Sequence, residues 1–146
     1  MTFPMNKSCV LLILIVLAAF GCASDKEKPS ADSLAATGAY DHIDALKKAY
    51  EAKKEFAIEE RLVPELAEVI TKELSFEKAE LFFEKKLIRI TESFIIVHLN
   101  WRGSWWIETN NKIENRGVAD FVFNKETMIL SRIDGDNPFI IPFVEK

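Results

Sequence analysis

Hydrophobic positions change their spacing along this chain, and the changes divide it into helices followed by strands. From Asp41 onward, Ile43, Leu46, Ala49, Tyr50 and the methylene stem of Lys53 recur at three- and four-residue steps, continued by Phe56, Ala57 and Glu60. That spacing gives one apolar face of a helix. Lys53-Lys54-Glu55 is a point where the series can break into two shorter helices. Pro64 interrupts any longer one, since proline lacks an amide donor and disfavours helical geometry at Val63. The same proline suits a helix start, and Leu66, Val69, Ile70 and Leu74 repeat the helical pattern behind it.

Past Glu80 the period moves towards two. Leu81 to Thr91 reads as a strand whose alternation slips near Glu84-Lys85-Lys86, the mark of a bulge or an edge. Glu92-Ser93 reads as a turn. Phe94 to Trp101 is the strongest strand signal, with Ile95, Val97, Leu99 and Trp101 on one face and Phe94, Ile96, His98 and Asn100 on the other. Arg102-Gly103-Ser104 either turns the chain or bends a longer strand through Trp105 to Thr109. Polar Asn110 to Arg116 reads as a loop. Gly117 to Phe123 and Met128 to Ile133 complete the strands, and Asp134-Gly135-Asp136-Asn137-Pro138 ends the last one. Helices first and antiparallel strands afterwards make the α+β order: N-terminal helices packed on a curved sheet of about four to five strands, enclosing a concave, partly aromatic cavity.

The amino-terminal region follows other rules. Lys7 precedes an unbroken apolar run from Cys9 to Phe20, then Gly21 and Cys22. A charged start, a short apolar stretch and a small-residue cleavage site make a secretory signal. Leu17-Ala18-Ala19-Phe20-Gly21-Cys22 resembles the bacterial lipoprotein signal, with Ala19 where the family prefers leucine. The resemblance implies cleavage after residue 21, diacylation of the Cys22 thiol, and, with Ala23 in place of aspartate, sorting to the outer membrane where a cell has two. The apolar run falls short of the about 20 residues that span a bilayer. Acyl chains contribute about 0.8 kcal/mol per buried methylene, so two or more anchor stably. Residues 22–39, rich in Ala, Ser, Asp, Lys and Gly, read as the lipidated cysteine and a flexible tether, with an ordered domain over 40–146.

Composition adds constraints. Cys9 leaves with the signal and acylation consumes Cys22, so the mature chain has no disulfide, and nine of the sequence's eleven phenylalanines, with its three tryptophans and two tyrosines, must supply a packed core. The net charge is −4, with acids and bases interspersed. No basic face suits nucleic acid, whose affinity is dominated by phosphate neutralisation.

Two stretches carry a second resemblance. Ala49-Tyr50-Glu51-Ala52-Lys53 followed by Leu62-Val63-Pro64-Glu65-Leu66 is similar to the opening helices of the NTF2-like superfamily, related to nuclear transport factor 2 and ketosteroid isomerase. Trp101-Arg102-Gly103-Ser104-Trp105 and Gly117-Val118-Ala119-Asp120-Phe121-Val122-Phe123 are similar to its curved sheet. The likeness runs from about residue 40 to 137, and a cystatin-like sheet wrapped on one helix is the structural alternative. The superfamily holds enzymes with an acid or base inside the cone, and it maps no catalytic position onto this chain.

Candidate chemistry is sparse. The sequence lacks a phosphate loop, a G-x-S-x-G elbow, H-E-x-x-H and C-x-x-C. His98 is a candidate general base with Asp120 as its orienter if their strands pair in register. Asp134, Asp136 and Asn137 are an incomplete calcium set and at least as good a turn. Trp101, Trp105 and Trp106 are candidate ligand-binding residues for a glycan, a peptide or a small apolar molecule; strand parity puts 101 and 105 on one face and 106 on the other. The reading is a lipid-anchored bacterial envelope protein acting as a non-catalytic binding or assembly module, with no cofactor and no metal. Its partners are the membrane, through Cys22, and a protein, glycan or apolar ligand. The alternatives are an NTF2-like enzyme using His98 and Asp120 on a small hydrophobic substrate, and a structural spacer of an envelope complex.

Overall fold

The computed structural model describes residues 28–108 and 111–142. Helices α1 (Ala31–Glu51), α2 (Glu55–Glu59) and α3 (Pro64–Thr71) precede four strands: β1 (Lys78–Ile90), β2 (Phe94–Glu108), β3 (Asn111–Asn124) and β4 (Leu130–Gly135). All neighbours pair antiparallel in the order β1-β2-β3-β4. The helices pack against one face of this curved sheet, the α+β arrangement that the change of period predicts.

Helix α1 starts well before the expected domain boundary at Tyr40, and residues 31–39 are helix rather than tether. Ser30 caps it, its hydroxyl accepting the Ser33 amide at 3.1 Å, and Asp32 lies in the first turn, where the helix dipole favours a negative charge. Ala31, Ala35, Ala36 and Ala39 are the best helix formers, and Ala39 is fully buried. The alanines that make the stretch look featureless are the ones that extend the helix. Lys53 adopts a left-handed φ of 53° just past the end of α1 and so leaves the helical face, its ammonium 5.0 Å from the centroid of the Phe76 ring. In α3, Pro64 sits in the first turn; Ala67 and Ile70 are buried, whereas Val69 faces solvent.

Strand β2 runs through Gly103 without turning, and the slip in β1 is a register shift between Lys85 and Leu87. The polar stretch expected as a loop up to Arg116 is instead the first half of β3, paired from Asn111↔Glu108 to Arg116↔Arg102. A partner strand satisfies its backbone, so tertiary pairing overrides its low β propensity.

The inner face of the sheet holds the core. Ile95, Val97, Leu99, Trp101 and Trp105 of β2 and Ala119, Phe121 and Phe123 of β3 meet Ile43, Leu46 and Tyr50 of α1, all buried. The expected concave cavity is occupied by side chains. Phe139, from the tail behind β4, is fully buried and stands with its ring centroid 5.1 Å from Tyr50, 6.0 Å from Phe83 and 6.0 Å from Phe121. Asn137 Oδ1 accepts the Phe139 amide at 3.0 Å, and Glu73 accepts the Ile141 amide at 3.2 Å, which ties the tail to the helical layer.

Two glycines make room for the tryptophans. A Cβ at Gly103 would come within 2.4 Å of the Trp105 indole, and one at Gly117 within 2.5 Å of the Asp136 Cβ. The first lets Trp105 lie flat along its own strand. The second lets the Asp136 turn close over β3, where its backbone carbonyl accepts the Trp101 indole N–H at 2.7 Å.

Candidate functional site

Because the inner face is filled by the core, the exposed chemistry of the sheet lies on the outer face. The register sets it out in cross-strand rows: Lys78, Trp106, Lys112; then Glu80, Ser104, Glu114; then Phe82, Arg102, Arg116; then Glu84, Asn100, Val118; then Leu87, His98, Asp120.

His98 and Asp120 are directly opposite each other, and His98 Nδ1–H donates to Asp120 Oδ1 at 2.6 Å. Their side chains are 42% and 43% exposed. They border a depression of about 170 Å³ with Leu87, Arg89 and Ile96, smaller than the about 300–1,000 Å³ of ligand sites. Asp134, opposite Asp120 on β4, is held by Arg132 at 2.9 Å. The pair can orient an imidazole, and it lies on the outer face of the sheet, opposite the helical layer.

The three tryptophans separate as parity predicts. Trp101 and Trp105 are buried edge to face, 6.3 Å between centroids, and both indole N–H groups are spent inside the protein, on the Asp136 carbonyl and the Tyr50 hydroxyl. Trp106 is half-buried on the outer face, with the ammonium groups of Lys78 and Lys112 at 4.8 and 5.1 Å from its ring. Asp136 also uses Oδ2 to accept the Val118 amide at 3.1 Å. With Asp134 on Arg132 and Asn137 on the tail, the acidic turn is committed to holding the chain. Cys22 and the signal segment lie outside the described residues. Among the described residues, no helix is long and apolar enough to cross a membrane.

Burial lowers the pKa of the His42 imidazole, which is kept neutral with Nε2–H donating to the Arg61 carbonyl at 3.0 Å. Hydrogen bonds from Lys72, Lys78, Lys86 and Lys112 hold the carboxyls of Glu68, Glu80, Glu84 and Glu114 below the usual range. These latter pairs lie at the surface.

Sequence reasoning missed the arginine pair. Arg102 and Arg116 are directly opposite on β2 and β3, at the meeting of two outer-face depressions of about 640 and 410 Å³ that share Phe82, Arg102 and Arg116. Reading residues up to Arg116 as a loop left that arginine without a register. A strand pairing outward from Asp120↔His98 would have placed it.

No protein-family model matches the chain, and no curated protein does. Among solved structures, a nuclear transport factor 2 (NTF2-like) superfamily protein from Salmonella enterica subsp. enterica serovar Typhimurium str. LT2 is similar in fold, with a TM-score of 0.56 and 12% identity over 70% of this chain and 93% of that one. The domain thus has the NTF2-like fold; at this identity the likeness speaks of fold alone.

Proposed function

We propose that this chain is a lipid-anchored module of the bacterial cell envelope that binds or assembles through its NTF2-like domain without catalysis. The observation that carries the binding reading is the plugging of the inner face: Trp105, Tyr50, Phe121 and Phe139 fill the space between helices and sheet, where the NTF2-like resemblance would put an enzyme's acid or base. Interaction is then left to the outer face of the sheet, which has an open groove and the half-exposed Trp106. The sequence supports the anchor through the charged, apolar and small-residue order that ends in Gly21-Cys22, and the residue after the cysteine supports an outer-membrane location facing the periplasm if the cell has two membranes. Intact-mass analysis of membrane-extracted protein tests this. A chain beginning at an acylated Cys22 is expected, and Cys22→Ser is expected to abolish acylation; an unmodified chain beginning at Met1 overturns the anchor.

The hydrogen bond between His98 and Asp120 favours a second reading, an enzyme acting on a small hydrophobic substrate. Its shallow depression and the absence of a nucleophile among the residues that line it weigh against it. Hydrolase or isomerase activity that disappears in both His98→Gln and Asp120→Asn, with the fold intact, would move the assignment to the enzyme. A spacer role is separated from binding by titration of the outer-face groove.

A further inference from the structure

We propose that the outer face of the sheet carries a binding groove for a small organic anion, a carboxylate or phosphate ester with an apolar body, gripped by Arg102 and Arg116. The inference deepens the binding reading above and rests on it.

Like charges directly opposite on an antiparallel pair are destabilising, and Arg102 and Arg116 stand in that relation. The surrounding carboxylates each have a lysine partner, and Glu84 adds only a minor coulombic attraction to Arg102. Glu80 is paired with Lys78 at 2.6 Å, Glu114 with Lys112 and Glu84 with Lys86. Among the described residues neither arginine has a salt bridge to any carboxylate. Two arginines without an ion pair among the described residues therefore line the place where two depressions join. An arginine fork matches the paired oxygens of a carboxylate or phosphate, so one anionic head placed between them relieves the repulsion and engages both.

Phe82 supplies the apolar part. It is 52% exposed, opposite Arg102 on β1, with the guanidinium 4.5 Å from its ring centroid. That stacking holds the fork in place and leaves ring surface for the body of a ligand. The larger depression, about 640 Å³, is within the about 300–1,000 Å³ of small-molecule sites.

The rows on either side limit the size of the anion. Two residues along a strand advance about 7 Å; one such step from the arginines meets Glu80 and Glu114, and the opposite step meets Glu84. An extended polyanion such as a nucleic acid would lay its next phosphates against these carboxylates. A single anionic head fits within the arginine row.

The test is a calorimetric titration of the full-length, membrane-extracted protein in neutral detergent. Probes are phenylacetate, phenyl phosphate, 2-phenylethanol as the uncharged analogue, and inorganic phosphate. The two aryl anions are expected to bind, with the alcohol and inorganic phosphate each weaker by about tenfold or more, the scale of one lost charge-assisted contact. Arg102→Gln and Arg116→Gln should each weaken the aryl anions by about the same factor, and Lys72→Gln on α3 should leave them unchanged. Among the described residues Arg116 stacks on no ring, so Arg116→Gln stands as the test even if Arg102→Gln impairs folding. A preference for phenyl phosphate or for phenylacetate identifies the head group. Failure of both aryl anions to bind, equal binding of the alcohol, or unaltered affinity in Arg116→Gln overturns the groove. A folded, acylated protein that titrates with none of the probes removes the groove and leaves the anchored module standing, whereas an unacylated chain that titrates removes only the anchor.

Discussion

The indole Nε1–H of Trp105 donates a 3.0 Å hydrogen bond to the phenolic oxygen of Tyr50, joining β2 to α1 in the middle of the core. Both side chains are fully buried. Burial is also the main cause that pushes the Tyr50 hydroxyl far above the usual tyrosine range, so it stays protonated.

Tyr50→Phe removes the acceptor and leaves a buried indole donor unpaired. The expected cost is about 1–3 kcal/mol, the desolvation penalty of such a group, read as a lower urea midpoint at unchanged slope. In the double variant with Trp105→Phe, the two costs should sum to more than the measured loss, because the second change removes the orphaned donor. Strict additivity would show that the bond contributes nothing.

Gly103→Ala should destabilise by about 1–3 kcal/mol, the range for overpacking a filled core, since the new methyl meets the Trp105 ring at 2.4 Å and Leu81 at 2.8 Å. Gly117→Ala should destabilise as well, because its methyl meets the Asp136 Cβ at 2.5 Å, an atom that only a shift of the Asp136 backbone can move, and that backbone accepts the Trp101 indole N–H. Thermal melts of the two variants check this, and an unchanged midpoint in Gly103→Ala would contradict the packing described for Trp105.

Phe139→Ala empties the plug between α1 and the sheet and should cost about 3–5 kcal/mol, with Leu99→Ala at about 2–5 kcal/mol. Val69→Ala, on the exposed face of α3, should stay within about 0.5 kcal/mol of the parent. Denaturant midpoints check all three. An unaffected Phe139→Ala would mean that the tail does not close the core.

His42 gives the fold a pH dependence. Burial lowers its folded-state pKa below the ordinary value of 6.5, so as the pH falls the unfolded chain takes up the proton first. Its contribution is therefore intact above about pH 6.5 and is lost as the pH drops towards the depressed folded value. Stability measured at mildly acidic pH should fall below that at neutral pH, and His42→Gln should flatten this part of the profile. An unchanged profile in the variant would assign the acid sensitivity to the carboxylates.

The residues of β2 show how much of the fold is local. Ile95, Val97, Leu99 and Trp101 alternate with polar or half-exposed neighbours, and because side-chain direction in a strand has a period of two, their burial follows from the sequence alone. The break at Lys53-Lys54-Glu55, the proline at the start of α3 and the bulge beside Lys86 are likewise local effects of backbone chemistry. Local too, though easily overlooked, is the Ser30 cap that starts α1 among alanines.

Contacts between distant segments decided the rest. The polar residues before Gly117 are a strand only because β2 continues past Gly103 to pair with them, and no local propensity carries that information. The cavity implied by the change of period is filled by Phe139, which comes from a tail with no periodic signal and reaches back past all four strands to Tyr50. His98 and Asp120 could be proposed from the sequence as a pair, but the helical layer on the other side of the sheet decided that they face outward. Arg102 and Arg116 became neighbours only through the register. The sequence by itself determined the order of the elements and the buried parity of the central strands, because these depend on residues a few positions apart. Which strands pair, what fills the core and which charges stand next to one another were decided by the tertiary structure, because hydrogen-bonded ladders and close packing join positions that the chain keeps far apart.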